Sequence, residues 1–383
     1  MNYHVFIVDK NTFKYHLEYM FAGTGAGEKK VPFLSDCEAN IHSTTERNLV
    51  GMIADISRIR VGDKIVFYLQ AAEGMSGMFY GVFKAASKAF FDENDTANYL
   101  CKELGKPLTF RIKIEPDCVY SLGVSEHEYL DSLQDINFPY EMCWSLIYRK
   151  LKGNRGCTMI TDYEFELLTK KLKKINEKIS CNQNSSAFTF SSNTYSIDPI
   201  NKVNHYTGRT NSINIQDRSM YKANKRNAFE VHLQAYIMQN FDTLVLSSLL
   251  LPFPDLPCWV GNEVSCGVGM QRIDIMIMQE KDNDVYIKII ELKCVEPALY
   301  ILEQQLPWYI NWVIDYVVPN YITNGKRVHI IPCVIAKNST NSDFIDGCRS
   351  FHQKYNKSNK FIVECTEYIG FNISNDISFQ KEI

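Results

Sequence analysis

A chain of 383 residues, 45% hydrophobic and 22% charged, has the composition of an ordinary globular protein with room for two domains or three. Its formal net charge of −3 excludes a basic surface spread over the whole molecule, so any phosphate-binding face has to be a local patch. The twelve cysteines are scattered, without a CxxC pair or a Cys/His cluster at zinc spacing, and read as free thiols of a reducing cytoplasm. No apolar run reaches about 18 residues, which predicts no membrane span, and the first ten residues predict no signal peptide.

In chain order, Tyr3 to Val8 reads as a strand and Thr12 to Met20 as a helix, followed by a glycine-rich turn over Phe21 to Gly27. Gly23, Gly25 and Gly27 stand after a helix rather than between a strand and a helix. That order predicts a conformationally demanding loop, not a dinucleotide site. Gly62-Asp63 predicts a turn before the β-branched strand ending at Leu69; Met78 to Phe83 and Leu108 to Ile114 follow as further strands. Short strands with a few helices around them predict a small closed or partly closed β-barrel.

The strand Val61-Gly-Asp-Lys-Ile-Val-Phe-Tyr68, followed by Gly77-Met-Phe-Tyr-Gly-Val-Phe83, resembles the PUA-like barrels of the EVE and YTH group. The segment Asn154 to Glu166 is similar to the end of such domains. The resemblance covers roughly residues 1–170 and implies a reader of modified bases, in which aromatic rings stack on an extruded or unpaired base while polar groups read its edge. It nominates Phe21, Gly23, Thr24, Tyr68 and Trp144 for that pocket, with a core position as the alternative for each ring.

From Asp162 an amphipathic helix carries Phe165, Leu168 and Leu172 on one stripe and ends in Lys170-Lys171-Leu172-Lys173-Lys174. The following stretch is rich in Asn, Ser and Thr and poor in aliphatics, which predicts a linker over 176–222. It separates a first domain, 1–175, from a second, 223–383. Asn227 to Phe241 returns to helical spacing, with Phe229, Leu233, Tyr236 and Ile237 on one stripe, Glu230 at its edge and Gln234 a turn further on.

Three strands are expected next: Trp259 to Val264, Arg272 to Met278, and Val285 to Lys293. Strand side chains alternate, so Glu291 and Lys293 share one face of an otherwise apolar strand, and Asp274 interrupts an apolar row on its neighbour. Two carboxylates and an ammonium at strand ends can hold a divalent ion and orient a water beside a phosphodiester. A helix from about Pro297 carries Gln305 and Tyr309 on one face, with Pro307 between them predicting a kink. Arg327 to Ala336 and Phe361 to Ile369 read as further buried strands.

The order helix with Glu, strand with Asp, strand with Glu-x-Lys, helix with Gln-x-x-x-Tyr resembles the PD-(D/E)XK nuclease superfamily, in its RecB-like and NucS-like branch, over about residues 222–340. Arg272-Ile273 stands where a proline is typical before the Asp. The resemblance implies a mixed sheet covered by helices, with Asp274, Glu291 and the accessory Glu230 on one or two Mg²⁺ (or Mn²⁺) ions. Lys293 would sit beside the attacking water, with Gln305 and Tyr309 lining the cleft. Arg272 has two readings, a phosphate contact or a salt bridge to a neighbouring acid.

Together these features predict a two-domain α/β and α+β protein: an N-terminal PUA-like barrel with flanking helices and a C-terminal PD-(D/E)XK domain. The function implied is that of a cytoplasmic, homodimeric, metal-dependent DNA endonuclease directed to modified DNA, as in restriction of phage. Two alternatives stand beside it: a structure-specific or single-strand repair nuclease, and a non-catalytic nucleic-acid-binding protein with a nuclease-like fold.

Overall fold

The computed structural model describes residues 2–25, 31–72, 74–92, 99–131, 136–146, 156–177, 185–225, 229–267, 271–355 and 359–383. Two compact units emerge: one comprises 1–136 with 141–214, the other 137–140 with 215–383.

In the first unit the strands are β1 (Tyr3–Val8), β2 (Phe21–Thr24), β3 (Lys64–Leu69), β4 (Met78–Ala85), β5 (Phe90–Phe91), β6 (Phe110–Pro116), β7 (Val124–Ser125), β8 (Cys157–Ile160), β9 (Phe188–Ser191), β10 (Ser196–Pro199) and β11 (Asn211–Ser212). Its helices include α1 (Phe13–Glu18), α2 (Ser43–Ser57), α3 (Cys101–Leu104), α4 (Glu126–Leu130) and α5 (Asp162–Ile175). The main sheet runs β11-β5-β6-β4-β3-β1-β8, with β2 added to β6 and β7 to β4.

The turn expected at Gly62-Asp63 is present, and glycine supplies its φ of +92°, a left-handed conformation that costs a side-chain-bearing residue energy. Asp63 fastens this corner: its carboxylate accepts from the Asn2 and Arg60 amides (2.9 and 3.0 Å) and pairs with His4 Nε2 (3.0 Å). α5 begins with a capping box of Thr161 and Glu164, and buries Leu168 and Leu172 as its stripe predicts.

The sequence expectation differs from the structure in two places here. Phe21–Thr24 is a strand rather than a turn, because it pairs antiparallel with Phe110–Lys113 of β6; Gly27 lies outside the described residues. The expected linker 176–222 carries the β9–β10 hairpin, β11 and the start of a helix. Phe188, Phe190 and Ile197 alternate into the interior of the first unit; the Ile197 amide donates to the Ser121 carbonyl, and the Ser121 hydroxyl donates to the Ile197 carbonyl. Three large apolar side chains outweigh a polar average.

The second unit has β12 (Cys258–Ser265), β13 (Arg272–Lys281), β14 (Asp284–Leu292), β15 (Arg327–Lys337), β16 (Phe361–Val363), β17 (Glu367–Ile373) and β18 (Ile377–Lys381). Its helices include α6 (Gln216–Asn224), α7 (Glu230–Asn240), α8 (Leu244–Leu250), α9 (Leu306–Tyr316), α10 (Val318–Thr323) and α11 (Ser342–Ser350). The sheet order is β12-β13-β14-β15-β17-β18, with β16 also on β15. β12, β13 and β14 form an antiparallel meander; α9 and α10 then cross over to β15, which lies parallel to β14.

The strand expected over Phe361 to Ile369 is split. Both pieces run parallel to β15, β16 on Val328–Ile330 and β17 on Cys333–Lys337, with a break at Glu364-Cys365-Thr366. Lys288, buried in β14, points to the face opposite Glu291 and is neutralised by Glu367 (2.5 Å) and the Leu249 carbonyl (3.0 Å). The mixed sheet follows from apolar strands alternating with helices.

Candidate functional site

The β13–β14 ladder ends at Ile275 opposite Ile290, and the next residue on each strand is acidic: Asp274 and Glu291. Asp274 replaces the missing rung with its side chain, accepting the Leu292 amide at Oδ2 (2.7 Å). From α7, the buried Gln234 donates to the Asp274 carbonyl (2.8 Å), which fixes this end of the strand from the helix side. Glu230, one turn before Gln234 on that helix, is half-buried and raises the Asp274 pKa by its charge.

Glu291 is almost fully buried and pairs through Oε1 with the Lys293 ammonium. Its other oxygen, Oε2, is buried, and the Tyr309 hydroxyl interacts with the same carboxylate. Tyr309 faces the same carboxylates: its hydroxyl is pushed above the ordinary phenol range, first by burial and then by the charges of Glu291 and Asp274. Gln305 also carries a buried oxygen, Oε1, without a partner.

The electrostatics of the cluster are unbalanced. Burial, then the Glu291 charge, drive the Asp274 carboxyl far above its usual range, against the Leu292 amide that favours its ionised form. Burial works to lower the Lys293 pKa, but the Glu291, Glu230 and Asp274 charges outweigh it and hold the ammonium charged. Cys266, which the sequence reading passed over, lies beside the pair; burial and the same two carboxylates push its thiol up to about 12.

Pro307 does not kink a helix between Gln305 and Tyr309. A π-helical turn over Ile301–Gln305 precedes it, and α9 starts afresh at Leu306, so the proline occupies the first turn, where a missing N–H costs little. Arg272 takes the salt-bridge reading, pairing with Glu263.

The donor set is all oxygen and suits a hard divalent cation that keeps part of its water shell. Asp274 and Glu291 fit it, the Glu291 carboxylate lying between the Lys293 ammonium and the Tyr309 hydroxyl. Among the described residues no three His, Cys, Asp or Glu side chains form a ready-made ligand cluster, so two protein carboxylates, with Glu230 acting at longer range, are what the site offers.

In the first unit the nominated pocket residues do not converge. Tyr68 packs with Phe79, Tyr129 and Leu168, and its hydroxyl donates to Glu126. Phe21 belongs to another cluster, with Leu100, Leu104 and Leu108. Trp144 is buried in a short 3₁₀ turn. Thr24 Oγ1 accepts the Gly156 amide (3.2 Å), and Gly23 pairs with Arg111 across β2 and β6. Asn154 and Arg155 lie outside the described residues.

Beside Phe21 is an arrangement that the sequence did not signal. Arg111 is fully buried, 4.9 Å from the Phe21 ring centroid, and donates to the carbonyls of Leu108, Pro107 and Tyr99 and to the Tyr206 hydroxyl (2.7–2.9 Å). The Tyr206 hydroxyl donates to Asp92 (2.6 Å), and its ring packs on Tyr99, Phe90 and Phe21 at 4.7–5.7 Å. Tyr206 comes from the segment read as linker, which is why no local pattern announced it. It fills this aromatic and charged recess as a planar ligand would.

A scan against protein-family models and a search of curated proteins gave no match. Solved structures similar to part of the chain include a hypothetical protein from Leishmania major, at 10% identity and a TM-score of 0.30, over 46% of this chain and 97% of that one. A protein from Rhodopseudomonas palustris aligns at 12% identity and 0.26, over 46% and 94%. Human THYN1 protein, solved in complex with 5-methylcytosine containing DNA, aligns at 10% and 0.26, over 45% and 98%. Likeness at this level does not assign a fold or a ligand. Among the described residues no helix is long and apolar enough to cross a membrane.

Proposed function

We propose that the second unit is a metal-dependent DNA endonuclease whose site is Asp274, Glu291 and Lys293, and that the first unit presents DNA to it, selecting modified bases. The observation that carries this reading is the pair of carboxylates at the adjacent ends of β13 and β14, with a charged lysine bound to one of them. Here the pair is held together although its own repulsion raises the Asp274 pKa, and such a cluster is characteristic of sites that bind cations or work on protons.

Asp274 and Glu291 would hold a Mg²⁺ ion, with Glu230 reaching its water shell; when bound, the ion supplies Lewis-acid activation of a water and of the phosphate oxygens. The protein's own contributions follow from the geometry. Glu291 holds the Lys293 ammonium at the end of β14, where its charge opposes the negative charge that develops on a phosphodiester under in-line attack. Lys293 is fully protonated at neutral pH and so acts as an electrostatic group rather than as a base. Tyr309, its phenol protonated, offers a hydroxyl to the same cleft, and Gln305, four residues before it, would line that cleft as well. Gln234 keeps Asp274 in register.

In the first unit, Arg111, Asp92 and the rings of Phe21, Phe90 and Tyr99 gather in one buried recess that Tyr206 fills; a base would stack there and have its edge read only by taking the place of that ring. Cutting both strands with one site per chain calls for two copies. The test is Mg²⁺-dependent cleavage of plain and base-modified duplexes, with Lys293→Ala as control. Cutting of modified duplex that stops in the variant supports the reading. Absence of metal-dependent cutting by the wild type removes the enzyme, and equal cutting of plain and modified DNA removes the reader.

A further inference from the structure

Next to Tyr309, on the first turn of α9, stands Trp308, one of the few large aromatic side chains of the second unit left open to solvent, at 46% exposure. Its position is fixed. The indole N–H donates to the Cys266 carbonyl (2.8 Å), and the ring lies against the backbone of Gly267, whose φ is +110°. A side chain at Gly267 would meet the indole, since a Cβ there would stand 3.1 Å from Cζ2 and 3.4 Å from Nε1. The glycine therefore both turns the chain and makes room for the ring.

The same residues tie Trp308 to the cleft. Cys266, whose carbonyl holds the indole, is the residue whose thiol feels Glu291 and Asp274, and Tyr309 faces those carboxylates from the adjacent position on the helix. The open ring thus stands on the rim of the carboxylate site. Nearby in sequence, Leu299 and Tyr300 add exposed apolar surface before the π turn, whereas Glu303 and Gln304 on that turn are also exposed and bound the apolar surface on that side.

An indole that is hydrogen-bonded in place yet leaves much of its surface open is preorganised for stacking, because ordering it costs nothing further on binding. We propose that Trp308 is a base-stacking platform: it receives a nucleobase of the strand whose phosphate lies at Asp274, Glu291 and Lys293, so the segment bound in this cleft is unpaired. This deepens the nuclease reading and rests on it for the position of the phosphate. In a duplex both faces of an internal base are taken by its neighbours. A single strand, a frayed end or an extruded nucleotide has a free face.

The experiment uses the full chain and a single-stranded oligodeoxynucleotide of about twenty nucleotides, alongside the duplex of the same sequence, with binding read by fluorescence anisotropy and cleavage read separately in Mg²⁺. The expected result is tighter binding of the single strand. Trp308→Ala should then weaken that binding by about fivefold to a hundredfold, the range that stacking of one base is worth, whereas Trp308→Phe should stay within about threefold of the wild type and control for the lost N–H bond. Melting temperatures of both variants establish that they fold. Equal affinity of wild type and Trp308→Ala overturns the proposal, as does binding of the duplex in preference to the single strand. If the wild type binds the single strand through Trp308 but cuts nothing in Mg²⁺, the platform stands and the nuclease reading falls. If cleavage is Mg²⁺-dependent and indifferent to Trp308, the platform falls and the nuclease stands. A wild type that binds no DNA ends both.

Discussion

Asp274→Asn separates what the site costs the fold from what it does. Asparagine is nearly isosteric and keeps an oxygen for the Leu292 amide, which Asp274 holds at 2.7 Å, but it removes one of two carboxylates forced together at the ends of β13 and β14. In the metal-free protein the variant should be at least as stable as the wild type. Burial and then the Glu291 charge disfavour the ionised Asp274, so removing the carboxyl relieves a destabilising group, and a gain of about 1 kcal/mol, the ordinary size of a single-substitution effect, is the expectation. For a unit of this size that raises the melting temperature by about 2–4 °C. Mg²⁺ reverses the order, because at a hundredfold excess over Kd a bound ion adds about 2.7 kcal/mol, and only the wild type binds it.

The pH dependence has a definite sign. Folded Asp274 keeps a proton that the unfolded chain has already lost, so metal-free stability falls as pH rises above the ordinary carboxylate range toward the raised folded value. The Asn variant lacks that slope. Scanning calorimetry with and without Mg²⁺, at two pH values, measures all of this. A metal-free Asn variant less stable than the wild type by more than about 1 kcal/mol, or an equal Mg²⁺ shift in both proteins, would refute the reasoning.

Other expectations concern single side chains. Lys293→Ala should leave the fold intact and lower single-turnover cleavage by about 10²–10³-fold, the usual effect of removing one group that stabilises transition-state charge. Phe188→Ala should destabilise the first unit by about 3–5 kcal/mol in urea unfolding, because the ring is fully buried in a segment that reads as linker; a loss under 1 kcal/mol would restore the linker reading. Asp63 is the acid-sensitive corner of the first unit. Burial opposes its ionisation, but His4 and the Arg60 and Asn2 amides hold its pKa below the usual range, so its contribution is present above that range and is lost as pH falls. Asp63→Ala should cost about 2–3 kcal/mol at neutral pH and less in acid, because it orphans the buried donors.

What the sequence made legible follows from how local each signal is. Asp274, Glu291 and Lys293 could be found because strand alternation is a period-two rule, and a charge in an apolar strand breaks it visibly. The same parity separates Lys288, equally conspicuous in that strand, from the site: it faces the other way and meets Glu367. Tyr309 faces the carboxylates from α9, and Pro307, expected to kink a helix, stands in the first turn after the π turn. The linker expectation failed because polarity averaged over 176–222 hid Phe188, Phe190 and Ile197, whose partners lie far away in the sequence. The recess around Arg111 joins residues 21, 92, 99, 111 and 206, and Gln234 and Cys266 reach Asp274 only through tertiary contact. No local pattern encodes such meetings.

The nuclease site is tested most directly by the rate of phosphodiester cleavage in DNA by the full chain at saturating Mg²⁺, compared with the same protein in excess chelator and with Lys293→Ala and Asp274→Asn. Cleavage that requires the metal and falls by about two orders of magnitude or more in both variants is predicted. Cleavage that survives the chelator or either substitution, or no cleavage of single-stranded, duplex or base-modified DNA under any of these conditions, would contradict it.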